Sequence, residues 1–299
     1  MKDPIRRVTQ FAHRATLPRL RRIAARDDSP LFVIGSGRSG NTLVRRILLA
    51  SGQIHIPPET YVLGDVIETW PLSVALPWNQ RVWLFCAQFE KHYHFPDFGL
   101  PNLNAFAAEA IRMQPRGLRP LIEALYRHLA RAAGSQARRW GDKTPWNAFY
   151  LPAIGHLFPD ARFLWLIRDG RDVALSYHKA GLQPDFETAA QRWTEANLAC
   201  ARFARWSRNV RRLHYEDLVT DPEREMAAIF AWADLRFDPT MLDSRSNPMG
   251  DVERHAHHGK VAAPISASSV GRWRDGVSEA DLTRTPNAFG LTLTRLGYS

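Results

Sequence analysis

The chain contains 299 residues, of which 45% are hydrophobic and 23% are charged, and its net charge is +10. This composition is typical of a soluble globular protein, and the length suits one large domain or one domain with extensions. No apolar run approaches the ~18 residues that a membrane-spanning helix requires, so no transmembrane helix is expected. The charge favours anionic partners, namely phosphate or sulfate esters, nucleic acid or an acidic membrane surface, without choosing among them.

Residues 1–28 are rich in arginine, with apolar residues interspersed. The pattern predicts a basic N-terminal extension, which either lies on a membrane surface as an amphipathic arm or packs against the domain; the second is favoured. The two cysteines, Cys86 and Cys200, lack the spacing of a metal site. We interpret them as buried free thiols in a reducing compartment, in preference to one long-range disulfide. A cytoplasmic location is therefore predicted, with peripheral membrane contact through the extension as an alternative feature.

The first strong signal along the chain is an apolar run at residues 31–34, followed by glycines and then by a helical pattern at residues 42–50. The order strand, glycine loop, helix is the context of a phosphate-binding loop. Gly35, Gly40 and Thr42 fit the Walker A frame, but Asn41 stands where triphosphate-binding loops carry lysine. The loop therefore predicts a phosphate on a helix N-terminus and argues against ATP or GTP hydrolysis.

Residues 60–133 have a mostly helical pattern, are rich in aromatic side chains and are punctuated by prolines. Leu118, Ile122, Leu125 and Leu129 recur at helical spacing, which indicates a helix that faces the core. No sharp linker separates this region from its neighbours. It is predicted to be an insertion that shapes an acceptor site, and not a separate domain.

Strands alternate with helices in the second half of the chain. Residues 162–167 predict a second buried strand, followed by a helix through Ser176, a long amphipathic helix at 186–207, a strand at 210–215 and a helix at 222–232. Alternating strands and helices favour a P-loop-like three-layer α/β/α fold with a central parallel sheet.

Arg168 follows the strand at residues 162–167 directly, at the sheet edge where ligands of α/β proteins bind. Ser176 is expected about two turns into the next helix, given ~3.6 residues per turn. Guanidinium and hydroxyl groups together are a reasonable clamp for a second phosphate.

Four segments in this order resemble one known family. They are residues 35–42 (GSGRSGNT), 163–176 (FLWLIRDGRDVALS), 214–222 (HYEDLVTDP) and 270–274 (VGRWR). Together they resemble the sulfotransferases that depend on 3′-phosphoadenylyl sulfate (PAPS), with a pattern similar to tyrosylprotein, carbohydrate and bacterial members. The resemblance runs from about residue 31 to 275 and implies a sulfotransferase domain at residues 29–299.

The resemblance implies specific roles in binding PAPS. The first loop would hold the 5′-phosphosulfate, and the second segment would hold the 3′-phosphate. Tyr215 matches a tyrosine that contacts the nucleotide, and Arg272 stands where tyrosylprotein-type members carry a cofactor-binding lysine. The implied PAPS-binding residues are Arg38, Ser39, Gly40, Asn41, Thr42, Arg168, Ser176, Tyr215 and Arg272.

The resemblance also implies three catalytic residues. Glu59, in the segment PPET, matches the glutamate that accepts the acceptor hydroxyl's proton, and an alcohol needs such a base to become a nucleophile. Lys143, in WGDKTP, would stabilise charge on the transferring sulfuryl group together with Arg38. The alternatives are a helix-start glutamate that favours the helix dipole and a solvated loop lysine. No metal is required or predicted, although His255, His257 and His258 lie close together.

One segment departs from the family pattern. Cytosolic members carry Arg-Lys-Gly before the GxW segment, where this chain has Ser266-Ala267-Ser268. The 3′-phosphate would lose positive charge there. The prediction is therefore a PAPS-dependent sulfotransferase whose acceptor hydroxyl belongs to a carbohydrate, glycolipid, peptide tyrosine or small metabolite. The alternatives are a P-loop kinase-like phosphotransferase and a non-enzymatic basic module that binds nucleic acid or membranes, for which no nucleic-acid motif is found.

Overall fold

The computed structural model describes residue 25 and residues 28–243 and 264–299. Most of the predicted N-terminal extension lies outside these residues, so its boundary and its membrane contact stay predictions. The histidines at positions 255, 257 and 258 also lie outside them. None of the described helices combines the length and apolar character that crossing a bilayer requires.

Five strands of the described chain form one sheet in the order β2-β3-β1-β4-β5, and every neighbouring pair is parallel. The central strand β1 lies between β3 and β4, and its first residue, Leu31, is in register with Gly141 on one side and Arg162 on the other. The strands are β1 (Leu31–Gly35), β2 (Ile54–His55), β3 (Arg139–Asp142), β4 (Arg162–Ile167) and β5 (Val210–His214).

Helices connect and cover the strands. The α-helices in chain order are α1 (Asn41–Ala50), α2 (Leu63–Thr69), α3 (Trp78–Glu90), α4 (Asn104–Arg112), α5 (Leu118–Ala132), α6 (Leu151–Leu157), α7 (Gly170–Lys179), α8 (Phe186–Phe203), α9 (Tyr215–Thr220), α10 (Pro222–Trp232), α11 (Trp273–Gly276), α12 (Glu279–Arg284) and α13 (Asn287–Arg295). Short 3₁₀ turns lie between them at Trp70–Ser73, Phe95–Phe98, Pro145–Phe149, Pro239–Leu242 and Ala267–Ser269.

The side chains of β1 alternate between two hydrophobic cores, as the period-two geometry of a strand requires. Phe32 and Ile34 face a large core on one side of the sheet, and Leu31 and Val33 face a smaller core on the other. Both faces are therefore covered by helices, which is why every residue of β1 and β4 is buried and all but Arg162 are apolar or glycine. The fold is the predicted α/β/α arrangement with a parallel sheet.

The helices of residues 63–132 contribute to the larger core. Phe85 of α3 and Leu125 of α5 lie in the same cluster as Phe32 of the sheet and Trp193 of α8. This helical region therefore shares its hydrophobic interior with the sheet, because its helices bury apolar side chains against elements from the rest of the chain.

Strands β1, β4 and β5 and helices α1, α7, α8 and α10 lie where the sequence predicts them. The long helix α8 ends at Phe203 rather than at residue 207, and Tyr215 begins α9 rather than ending β5. Strands β2 and β3 were missed because they contain two and four residues and carry charged or polar side chains that propensity assigns to loops.

Candidate active site

The glycine loop follows β1 and packs closely against Leu166 and Tyr215. Gly35 has a φ of 126°, and a Cβ atom there would lie 2.4 Å from the carbonyl oxygen of Leu166. Gly40 has a φ of 92°, and a Cβ atom there would lie 2.5 Å from the ring of Tyr215. Glycine is therefore required at both positions, by backbone conformation and by close packing.

The amide of Asn41 holds this loop. Its Nδ2 atom donates to the carbonyl oxygen of Ser36 over 2.9 Å, and helix α1 begins at Asn41 itself. In the Walker A frame the same position carries a lysine that reaches a triphosphate. Here the side chain spans the loop instead, so the loop keeps its helix N-terminus for a phosphate but lacks that lysine.

The second predicted motif converges on the same loop. Arg168 follows β4, and its Nη1 atom donates to the carbonyl oxygen of Arg38 over 3.0 Å. The Nε atom of Arg38 donates to Oγ of Ser176 over 3.1 Å. The ring of Tyr215 lies 4.4 Å from the guanidinium of Arg168. The structure thus brings Arg38, Arg168, Ser176 and Tyr215 into one contiguous group.

This group carries positive charge in a buried place. Burial lowers the pKa of Arg38, and the neighbouring charge of Arg168 lowers that pKa further. The buried Oγ atoms of Ser36 and Ser39 and the buried Nε atom of Arg168 have no hydrogen-bond partner among the described residues. Hydroxyl and guanidinium donors without partners, next to two mutually repelling cations, fit an anionic ligand.

Glu59 and Lys143 form an ion pair between the Oε1 atom of Glu59 and the Nζ atom of Lys143. The side chain of Lys143 is only 5% exposed, which excludes the alternative of a solvated loop lysine. Glu59 precedes α2, which begins at Leu63, so it is not a helix-start residue either. The Glu59 carboxylate is close enough to Arg38 to raise its pKa, although burial has the larger and opposite effect.

Tyr61 borders the ion pair in a strained conformation. Its φ is 57°, a left-handed value that bulky residues rarely adopt. Burial raises the pKa of the Tyr61 phenol, and a hydrogen bond to Glu59 adds to this effect. The ring stacks on His92 and His94, with centroid distances of 5.2 and 4.7 Å. Tyr61 therefore packs between the candidate base, Glu59, and the two histidines.

The C-terminal segment is anchored beside Arg168 through Asp172. Its carboxylate accepts hydrogen bonds from the backbone N–H groups of Gly271 (2.7 Å) and Trp273 (2.9 Å), and it lies 3.9 Å from the guanidinium of Arg168. The intervening Arg272 is exposed. Within the described residues, no hydrogen bond or ion pair joins Arg272 to the other predicted binding residues, so its predicted contact with the cofactor stays untested.

Three residues of the site were missed from the sequence. Tyr61 directly follows the PPET segment that carries Glu59, Asp142 lies in the WGDKTP segment beside Lys143, and Asp172 lies inside the Arg168 motif, so adjacency was the available signal. Among the residues that the structure describes, no cluster of three or more side chains has the arrangement of a metal site.

Comparisons with known proteins show the family to which the chain belongs. A family model described as the sulfotransferase family matches residues 30–239. Since this match covers more than half of the chain, the protein belongs to the sulfotransferase family of enzymes.

Relatives and solved structures extend the match over most of the chain. Protein-tyrosine sulfotransferase A of Caenorhabditis elegans is 23% identical over 90% of this chain and 67% of its own. Protein-tyrosine sulfotransferase 2 of Gallus gallus is 25% identical over 90% of this chain and 69% of its own. The sulfotransferase domain of the Synechococcus PCC 7002 olefin synthase has the same fold, with a TM-score of 0.62, 18% identity and coverage of 95% of this chain and 99% of that domain.

Proposed function

We propose that this enzyme transfers a sulfuryl group from PAPS to an acceptor hydroxyl. One observation carries the proposal: Glu59 forms an ion pair with the buried Lys143, and the charge of the same carboxylate raises the pKa of Arg38 in the glycine loop. A base, a buried cation and an anion-binding loop are the three parts that sulfuryl transfer needs at one place.

The loop and the Arg168 motif fit the two phosphates of PAPS. The N-terminus of α1 and the loop hydroxyls would receive the 5′-phosphosulfate, and Arg168 with Ser176 would receive the 3′-phosphate. Tyr215 would face the nucleotide, as its contact with Gly40 and Arg168 supports. The proposed donor-binding residues are Arg38, Ser39, Gly40, Asn41, Thr42, Arg168, Ser176, Tyr215 and Arg272.

The proposed transfer is direct and in line. Glu59 takes the proton of the acceptor hydroxyl, and the oxygen attacks the sulfur of PAPS as the bond from sulfur to the bridging oxygen breaks. Lys143 and Arg38 stabilise the charge that develops on the sulfuryl group and on the departing adenosine 3′,5′-bisphosphate. Since the sulfuryl group carries less charge than a phosphoryl group, these two cations suffice and no metal is proposed.

The acceptor is proposed as a class. A hydroxyl on a peptide tyrosine, carbohydrate, glycolipid or small metabolite meets the chemical requirement, because Glu59 needs only a proton to remove. The names of the relatives favour a tyrosine in a peptide, which makes tyrosine peptides the first acceptors to test.

The test is an assay of the purified protein with ³⁵S-labelled PAPS and panels of tyrosine peptides, sugars and phenols, with PAPS binding measured by calorimetry. We expect PAPS binding and label transfer to at least one hydroxyl. A protein that binds Mg-ATP and not PAPS would instead be a kinase-like phosphotransferase. Strongly salt-dependent DNA binding without affinity for PAPS would identify a basic binding module.

A further inference from the structure

Asp142, the last residue of β3, lies at the centre of a buried polar network. Its side chain belongs to a residue that is 1% exposed. Its carboxylate accepts hydrogen bonds from Oη of Tyr126 (2.5 Å), Nδ2 of Asn147 (2.7 Å) and Oγ1 of Thr60 (3.0 Å). The three donors come from α5, from the 3₁₀ turn after β3 and from the segment before α2. One carboxylate thus joins three parts of the chain that are distant in sequence.

The network includes the chain neighbours of Glu59 and Lys143, the proposed base and cation of sulfuryl transfer, which we call the transfer pair. Thr60 follows Glu59, and Thr144 follows Lys143, which itself follows Asp142. The backbone N–H of Thr60 donates to Oγ1 of Thr144 over 3.0 Å, so the two segments are also bonded directly to each other. Besides the ion pair of Glu59 and Lys143, this network is therefore a second connection between the two segments that carry them.

The donors around Asp142 are neutral hydroxyl and amide groups, and no basic side chain forms an ion pair with it among the described residues. Burial raises the pKa of Asp142, and the nearby charge of Glu59 acts in the same direction, while the hydrogen bonds oppose both effects. A buried carboxylate that forms no ion pair is costly unless its hydrogen bonds are complete. Removing any one of the three donors would leave the buried carboxylate incompletely hydrogen-bonded, which is unfavourable in free energy. The hydrogen bonds therefore favour one arrangement of the network.

We infer that Asp142 is a positioning residue for sulfuryl transfer: it holds the segments of residues 59–60 and 143–144 so that the Glu59 carboxylate and the Lys143 ammonium meet at one point. This inference rests on the proposed function in that Glu59 and Lys143 are taken as the transfer pair. Asp142 is 1% exposed, and we assign its effect to Thr60, Thr144 and the start of the Lys143 segment, not to contact with a substrate.

Thr60 offers the sharpest test. Thr60→Val keeps the shape of the side chain but removes the hydroxyl that binds Asp142, whereas Thr60→Ser keeps the hydroxyl. We expect kcat in Thr60→Val to fall on the order of 10- to 100-fold, as small misplacements of reacting groups do. PAPS affinity should stay essentially unchanged, because Thr60 lies outside the phosphate loop. Thr60→Ser should rescue kcat.

A second pair of variants separates positioning from general stability. Asp160 is also a buried carboxylate, bonded to Oγ of Ser29 (3.1 Å) and paired with Arg119 (2.8 Å), but it contacts neither segment of the transfer pair. Asp142→Asn and Asp160→Asn make the same change at the two sites. Both should lower the melting temperature, and only Asp142→Asn should lower kcat. Equal losses of kcat in the two variants would overturn the inference.

Crystal structures of the wild-type protein and of Thr60→Val supply a readout that does not depend on turnover. The Nζ–Oε1 contact of Lys143 and Glu59 should be present in the wild type and displaced in the variant. If the wild type transfers no sulfuryl group but the contact is displaced, the proposed function fails and the positioning role stands. An undisplaced contact, or wild-type kcat in Thr60→Val, overturns the positioning role.

Discussion

The guanidinium of Arg168 donates a hydrogen bond to the backbone carbonyl of Arg38 over 3.0 Å, although 130 residues separate the two in sequence. The side chain of Arg38 in turn donates to Ser176 over 3.1 Å. The glycine loop after β1 and the motif after β4 are therefore bonded directly to each other, through hydrogen bonds that the side chains of Arg38 and Arg168 donate. This arrangement places the positive charges of the half-buried Arg38 and the buried Arg168 side by side, and an anionic ligand would relieve their repulsion.

Glu59→Gln should abolish turnover and leave PAPS binding nearly intact. Glutamine has nearly the same shape but cannot accept the proton of an acceptor hydroxyl, and loss of a general base costs roughly 10²- to 10⁴-fold in rate. Label transfer from ³⁵S-PAPS and calorimetric PAPS binding measure the two effects. Glu123→Gln, at a half-buried glutamate paired with Arg119, is the control and should keep full turnover. Retained turnover in Glu59→Gln would remove this residue as the base.

Lys143→Met should lower kcat on the order of 10²- to 10³-fold, the loss typical of one preorganised donor to developing charge. Methionine fills a similar volume, so the buried site should still pack. The variant leaves the Glu59 carboxylate without its ion-pair partner. Steady-state kinetics with varied PAPS give the split between kcat and KM. A loss confined to KM for PAPS would make Lys143 a binding residue instead.

Gly40→Ala should weaken PAPS binding at least about ten-fold, whereas Gly134→Ala should not. Gly40 and Gly134 have positive φ values of 92° and 71°. An alanine in this left-handed conformation destabilises the fold by roughly 1–2 kcal/mol at either position. Only at Gly40 does the new Cβ also meet the ring of Tyr215, since Gly134 has nothing within 4 Å. Calorimetry and thermal unfolding separate the two effects. Equal PAPS affinity in both variants would contradict the role given to the loop.

Asp172→Ala should release the C-terminal segment from its place beside Arg168. The variant removes the acceptor of the Gly271 and Trp273 N–H groups and the negative charge beside Arg168. Hydrogen exchange of these two amides should become at least about ten-fold faster, because their opening no longer breaks a hydrogen bond to a buried carboxylate. Asp275→Ala, at an exposed position of α11, is the control. Unchanged exchange would show that other contacts anchor the segment.

Ionised Asp160 should contribute to the free energy of unfolding, and this contribution should be lost at acid pH. Burial opposes its ionisation, but the hydrogen bond and ion pair with Arg119 outweigh burial and lower the pKa of Asp160. A carboxyl with a lowered folded-state pKa contributes stability above its unfolded pKa of about 3.9, and this contribution is lost as pH falls toward the folded value. Urea unfolding between pH 3 and 7 measures it. Asp160→Asn should flatten the acid limb, and an unchanged limb would contradict this assignment.

The sequence predicts the central strands and the helices after them because continuous apolar runs and helical periodicity are strong local signals. It misses β2 because two residues are too short for a pattern, and it misses β3 because tertiary contacts bury Arg139 and Asp142, which a four-residue segment does not reveal. The Walker frame also indicates a phosphate loop from spacing alone. The meeting of Glu59 with Lys143, 84 residues apart, rests on the family resemblance, and no local pattern predicts the role of Asp142.

The hydrophobic interior that the helices of residues 63–132 share with the sheet limits how this enzyme can be engineered. Phe85 and Leu125 lie in the same cluster as Phe32 and Trp193, so exchanging residues 60–133 with another family member as a cassette would cut through one continuous core. A chimaera built that way would expose or overpack apolar surface in both halves.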